Sequence, residues 1–352
     1  MWQLDNRTPF AAERTWVRDK EGAEIWLVAV KCTFDIKQDG TTEISKEQPP
    51  VVMVPEYINP DDPAKSSLKY DSDLVRTKTT TDIIVNGHAY APNGQPVTEL
   101  DIGFRVGAIT KILKVTGDRI WQDGSITKPK PFTVMPIIYE RAYGGFDPAT
   151  LDTPTPQWDM RNPLGAGFAL SSDKLNGLAL PNIEYPDQLI KSWKDKPDPA
   201  GFGAICSHWQ PRVNFTGTYD EKWQQDRLPL LPLDFDDHHY QCAPTDQQMP
   251  QFLQGGEQVA LLNLTPQGKL HFKLPRVILG FETFFYTGDR QQHERPKLHT
   301  VIIEPDFPRV SLVWHTALPC HPKVLKLKET RIIQKRLLST NPAQEVEMEE
   351  EA

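Results

Sequence analysis

The run EIWLVAVKCTFDI at residues 24–36 constrains the fold more than any other stretch. Trp26, Val28, Val30, Cys32, Phe34 and Ile36 share one parity, while Lys31, Thr33 and Asp35 hold the other. A period of two marks a strand with one face on a core, so Cys32 is expected inside and Lys31 and Asp35 outside. TELDIGFRVG at 98–107 repeats the pattern, with Leu100, Ile102, Phe104 and Val106 facing in and Glu99, Asp101 and Arg105 facing out. The 32 prolines, about twice ordinary usage, argue against long helices.

Turn chemistry divides the remaining strands. KILKVTGDRIWQDGSIT at 111–127 reads as a short hairpin pair broken at Thr-Gly-Asp and Gln-Asp-Gly. A second hairpin is expected at 258–274 around Pro266-Gln267-Gly268, and a third at 299–316 around a proline-punctuated turn. Residues 141–258 carry few periodic runs and many prolines. Short helices are expected there at DEKWQQDRL, capped by Asp220, and at TDQQMPQFL, capped by Thr245 and stopped by Gly255-Gly256. The fold class that follows is mostly β: antiparallel, sandwich-like sheets from the N- and C-terminal regions, with a loop-rich middle and a few short helices. One integrated domain is expected over 1–338, β-rich at 1–140, loop-rich at 141–258 and β-rich again at 259–338. A disordered acidic tail is expected at 339–352.

Charge narrows the partners. Of the formal net charge of -8, five negative charges come from Glu345, Glu347, Glu349, Glu350 and Glu351, so the body is only mildly acidic. This disfavours nucleic acid or an anionic membrane as the main partner. Lys323, Lys326, Lys328, Arg331, Lys335 and Arg336 form a basic run that reads as a solvated face or as local balance to the tail. The N-terminus MWQLDNRTPF lacks the basic and apolar regions of a signal peptide, and the longest apolar run, IWLVAV at 25–30, is far short of a membrane span. Cys32, Cys206, Cys242 and Cys320 form no CxxC pair. A reduced, cytoplasmic setting is therefore expected.

Candidate chemistry is sparse. Cys206, His208, Asp234, Asp236, Asp237, His238, His239 and Cys242 cluster in sequence, and all are zinc-ligand types. They lack the paired short spacing of structural zinc and the HxH or HExxH pair of catalytic zinc. A metal-dependent hydrolase using His208, Asp236, His238 and His239 is the rival enzymatic reading. Nothing marks Cys206 as an activated nucleophile with a partner such as His239. No GxSxG, phosphate loop or dinucleotide fingerprint is present, and no cofactor is expected. Trp26 and Trp314 sit in strand patterns and read as core. Trp2, Trp158, Trp193, Trp209 and Trp223 fall in loops or short helices, which suits either a carbohydrate-binding module using Trp158 and Trp223 or a protein interface.

Seven stretches, taken in order, are informative as a set. KTTTDIIVNGHAYAP (78–92), ERAYGG (140–145), NPLGAG (162–167), GFGAICSHWQPR (201–212), GTYDEKW (217–223), PLDFDDHHYQCAPTDQQ (232–248) and LQGGEQVALLNLTPQG (253–268) resemble one bacterial family. It is domain of unknown function 2169, encoded beside PAAR and VgrG spike genes in type VI secretion clusters. The resemblance covers the chain up to about residue 330. It implies a non-enzymatic adaptor or chaperone that holds a toxic effector and loads it onto the spike, with the effector, PAAR and VgrG proteins as partners. Some relatives carry pentapeptide repeats after this domain, whereas this chain ends in the basic run and acidic tail. In such an adaptor Arg141, Tyr143, Gly144, Gly145, Asn162, Gly165, Trp209 and Arg212 either shape loops or meet the partner. If Trp209 and Arg212 meet it, their loss should weaken binding and leave stability intact.

Overall fold

The computed structural model describes residues 2–320, 323–338 and 346–347. Strands dominate, and Glu221–Asp226 is the one α-helix among the described residues. The central sheet runs in the order Ala11–Arg18, Glu24–Ile36, Arg309–Pro319, Lys297–Glu304, Asp82–Val85, with Thr42–Ile44 paired to one end of Glu24–Ile36. All its pairs are antiparallel except the last, where Asp82–Val85 lies parallel to Lys297–Glu304. N- and C-terminal strands thus share one sheet, the C-terminal pair lying between N-terminal strands. A second, antiparallel sheet orders Ile183–Glu184, Ile109–Thr116, Glu99–Val106, Gln258–Leu262 and Lys269–Lys273. The third places Leu327–Leu338 between Gln3–Asn6, to which it is parallel, and Arg276–Phe285, which continues to Arg290–Gln292.

One core joins the three sheets. Trp26, Val28, Val30, Cys32, Phe34 and Ile36 meet Leu100, Ile102, Phe104 and Val106 of the second sheet and Val277, Leu279 and Phe281 of the third. The expected alternation therefore holds on this face. The opposite face departs from expectation, because Lys31 and Thr33 are 3% and 0% exposed. Residues 48–73 and the loop-rich middle cover it: Gln48 bonds the Thr33 backbone and Asp73 pairs with Lys31, while Leu68, Tyr139, Ala204, Cys206, Trp209 and Cys242 pack with Ile84, Ile302 and Val313 in a second apolar cluster. Polar residues at the outward parity are buried because the sheet is covered on both sides.

Turn chemistry was read correctly at several points. Gly268 N–H donates to the Thr265 carbonyl at 2.9 Å, with Pro266 at the second turn position. Asp123 (φ 50°) and Gly124 (φ 74°) turn the Trp121–Gln122 and Ser125–Ile126 hairpin. The preceding strand, Ile109–Thr116, instead pairs back onto Glu99–Val106. Asp220 caps the helix Glu221–Asp226 by accepting the Trp223 N–H at 2.8 Å.

The second expected helix is not formed. Thr245–Gln247 makes a single 3-10 turn without a side-chain cap. Gln247 is wholly buried and donates Nε2 to the carbonyls of Ile83 (2.7 Å) and Phe202 (3.0 Å), while Met249 N–H bonds the Thr81 carbonyl at 2.9 Å. The chain is thereby tied beside Asp82–Val85, and Pro250 has no N–H to continue a helix. From Lys328 on, the basic run lies in Leu327–Leu338, whose Thr330, Ile332 and Leu337 are buried while Lys328, Lys335 and Arg336 are exposed. Of the tail expected to be disordered, Val346–Glu347 pairs with Leu327–Leu338, and the remainder lies outside the described residues. No helix among the described residues is long and apolar enough to cross a membrane.

Candidate functional site

The two glycine-rich stretches at 140–145 and 162–167 meet in space, Tyr143–Gly144 running parallel to Ala166–Gly167. Asn162, 0% exposed, is the centre of the knot. Its Nδ2 donates to the carbonyls of Tyr139 (2.7 Å) and Tyr143 (3.0 Å), its Oδ1 accepts the Leu164 N–H at 3.3 Å, and its own carbonyl accepts the Gly145 N–H at 2.8 Å. Gly144 and Gly145 take φ of +143° and +89°, and a Cβ on either would run into the carbonyl of Asn162 or Gly165. A Cβ on Gly165 would sit 2.6 Å from the Ala142 carbonyl oxygen. Arg141 donates to Asn182 Oδ1 at 2.8 Å, and Asn182 Nδ2 reaches the Thr116 carbonyl at 2.9 Å, which ties the knot to the second sheet. Tyr143 is buried beside Phe168 with the Arg161 guanidinium 5.8 Å over its ring, and burial pushes its hydroxyl pKa up.

Trp209 and Arg212 are also internal. Trp209, 2% exposed, meets Tyr139 edge-on at 5.8 Å. Arg212 pairs with Asp71 at 2.8 Å and donates Nε to the His239 carbonyl (3.0 Å) and Nη1 to that of Ile205 (2.6 Å). Neither side chain reaches the surface, so the surface-contact reading of this pair gives way to the loop-shaping one.

The metal-type residues of 206–242 face different partners. Asp236 bonds His238 N–H (2.9 Å) and pairs with its Nδ1 (2.6 Å), Asp234 takes both the N–H and hydroxyl of Thr218, and His239 Nδ1 lies 3.1 Å from the Arg212 carbonyl. His208 is exposed beside Trp209. Among the described residues no three His, Cys, Asp or Glu side chains are placed together to hold a metal. Burial lifts the Cys206 thiol pKa to about 12, the reverse of what a thiolate nucleophile needs.

Two further features stand out, and of their residues the sequence singled out Trp158 alone as a binding candidate. The first is an aromatic pair: Phe146 and Trp158 bridge antiparallel strands of loop, their rings 5.7 Å apart, yet they remain 44% and 45% exposed, with Met160 exposed just beyond. Trp223, by contrast, is half-buried and donates its indole N–H to the Leu230 carbonyl at 2.8 Å. The second feature is a polar network under the outer face of the central sheet. Lys78 Nζ bonds Asp82 (2.5 Å) and Thr300 (3.0 Å), Asp82 also accepts the N–H of Cys242 (2.8 Å), and Lys31 pairs with Asp73 at 3.5 Å. A cleft of about 270 Å³ opens above it, lined in part by Lys31, Val52, Lys69, Tyr70, Glu304 and Arg309. These residues come from four distant segments, and a charged residue within an apolar strand, such as Lys31 or Asp82, is the one local signal.

No curated protein and no solved structure matches the chain. A family model does, over residues 21–315, a span that holds most of the central sheet, the whole glycine knot and the loop-rich middle. The chain therefore belongs to the family described as an uncharacterized protein conserved in bacteria, DUF2169.

Proposed function

We infer that this chain is a non-catalytic binding protein, an adaptor or chaperone that holds a type VI secretion effector and helps load it onto the VgrG and PAAR spike. The type VI context comes from the resemblance of the seven ordered motifs. The observation that carries a binding role is the Phe146–Trp158 pair, two aromatic side chains nearly half exposed and followed directly by exposed Met160. Aromatic residues and methionine are the types enriched where proteins bind proteins. Their backbone is already ordered, because Asp159 N–H donates to the Gly145 carbonyl at 3.0 Å within the Asn162 knot. A surface held rigid in the free protein loses less entropy on binding.

Co-purification with the protein encoded by the neighbouring gene tests this. The Phe146→Ser/Trp158→Ser variant should lose at least about thirtyfold in affinity, the scale of a hot spot, while its melting temperature stays close to that of the wild type. Full binding by the variant would remove this surface from the reading. Undiminished effector secretion in a strain lacking the protein would remove the adaptor reading itself.

A further inference from the structure

The cleft on the outer face of the central sheet has no assigned occupant. We propose that it is a binding site for a carboxylate carried on a short apolar stem, and this stands apart from the adaptor reading. Its floor comes from adjacent strands: Lys31 of Glu24–Ile36, Ser311 and Arg309 of Arg309–Pro319, and Ile302 of Lys297–Glu304. Pro49, Pro50 and Val52 form one wall, and Lys69 and Tyr70 another.

The argument begins with Lys31. Its side chain is 4% exposed, and its ammonium carries three N–H donors. Among the described residues its one ionic partner is Asp73 Oδ2, at 3.5 Å, and that same oxygen already accepts the Val52 N–H at 2.8 Å. The Tyr70 ring lies 5.2 Å from Lys31 Nζ and supplies a π face but no lone pair along that direction. A buried ammonium so sparsely partnered at the wall of a cleft calls for further acceptors inside it.

The other charges decide the sign of the ligand. Glu304 is spent, because one oxygen accepts the Tyr70 hydroxyl and the other takes Arg309 Nε at 2.7 Å. Lys69 is half-buried with its Nζ 5.1 Å over the Tyr70 ring, and among the described residues no carboxylate lies within ion-pair distance of it. Glu56 is exposed at the rim. Lys31 and Lys69 thus remain to attract an anion, and Glu304 and Asp73 nearby oppose a doubly charged one. A planar monoanion fits this balance, and Ile302, Val52 and the two prolines fit its stem. The volume, about 270 Å³, lies just under the ~300 Å³ where ordinary small-molecule pockets begin. It admits a short-chain monocarboxylate or one acidic side chain.

The source is either a free small carboxylate or an acidic residue of a polypeptide, and the test separates them. Butyrate and an acetylated, amidated Ala-Glu-Ala peptide are titrated by ligand-observed saturation-transfer NMR against the full chain, with butyramide, the Ala-Gln-Ala peptide and inorganic phosphate as comparisons. At least one carboxylate should bind with Kd on the order of 1 mM or tighter, and its amide about tenfold more weakly. Tighter binding of butyrate assigns a free ligand, and tighter binding of the peptide assigns a protein carboxylate; both uphold the site. Lys69→Glu, a partly exposed change that keeps the fold, should weaken binding by about tenfold, and Lys31→Met/Asp73→Asn should abolish it. No carboxylate binding at tens of millimolar, equal binding of the amides, tighter binding of phosphate, or full affinity in Lys69→Glu would each overturn the proposal.

Discussion

Removing the Arg212 guanidinium tests whether the middle of the chain is held to the segment after Leu68–Tyr70 by a buried ion pair. The Arg212 and Asp71 side chains are 5% and 10% exposed and 2.8 Å apart, and Arg212 also satisfies the carbonyls of Ile205 and His239. Arg212→Met keeps much of the side-chain volume but leaves a buried carboxylate without its cation, a loss of about 3–5 kcal/mol. At roughly 2 cal/mol/K of unfolding entropy per residue over 352 residues, a loss near 4 kcal/mol lowers the melting temperature by about 5 °C. Asp71→Leu combined with Arg212→Met removes both charges and leaves the two carbonyls, so the double variant should recover to a deficit of about 1–3 kcal/mol. Urea unfolding of wild type, both single variants and the double variant gives the coupling energy directly. A wild-type-like Arg212→Met protein, or a double variant no better than that single one, would refute the assignment. Effector binding should fall only in step with stability across this series, because neither side chain reaches the surface.

Asn162→Ala should cost about 2–4 kcal/mol, since it leaves the buried carbonyls of Tyr139 and Tyr143 without a donor; a chemical-denaturation midpoint unchanged from wild type would contradict the knot. Gly145→Ala places a Cβ against the Gly165 carbonyl, whereas Gly94 at φ +65° has nothing within 4 Å of its Cβ position. Gly94→Ala should therefore cost only about 1 kcal/mol, and Gly145→Ala should sharply reduce soluble yield; equal behaviour of the two would count against the close approach. Acid should unfold the protein steeply. Burial lowers the pKa of His293 to about 4, of His315 to about 3, and of His299 well below its usual value. All three are depressed relative to an unfolded value near 6.5, so their contribution is intact above that pH and is lost as pH falls toward 4, where the unfolded chain binds protons that the folded one refuses. The slope approaches about 4 kcal/mol per pH unit, offset in part by Asp73 and Glu184, whose burial raises their pKa. Melting curves from pH 7.5 to 5 check this, and His315→Phe should remove about one proton's worth of slope; a slope already below one proton in wild type would refute it.

How far the sequence carries is shown by residues that share a strand or a residue type. Val30 and Lys31 are neighbours, and the alternation places Val30 in the core, where it is 0% exposed. Local periodicity is enough for that inference. It fails for Lys31 because its burial depends on Val52, Tyr70 and Asp73, which belong to a segment without periodic signal. Trp158 and Trp209 both lie in proline-rich loop, and composition alone cannot separate them. Trp209 is inside because Tyr139 packs against its ring, and Trp158 is half exposed although Phe146 packs against it. The glycines of 144–165 are legible as conformational specialists, but the carbonyls they approach lie on the partner stretch, so their role as one knot appears only when both are folded. Long-range pairing is the least legible layer: Gln3–Asn6 lies beside residues 329–332, and Lys328, Arg331, Lys335 and Arg336 of the basic run, though solvated as read, stand on an interior strand of that same sheet. A polar parity in a strand implies water only when nothing else covers that face. Here residues 49–73 and the loop-rich middle do, and the first of these is what sets Tyr70 and Val52 over Lys31, Glu304 and Arg309 around one cleft.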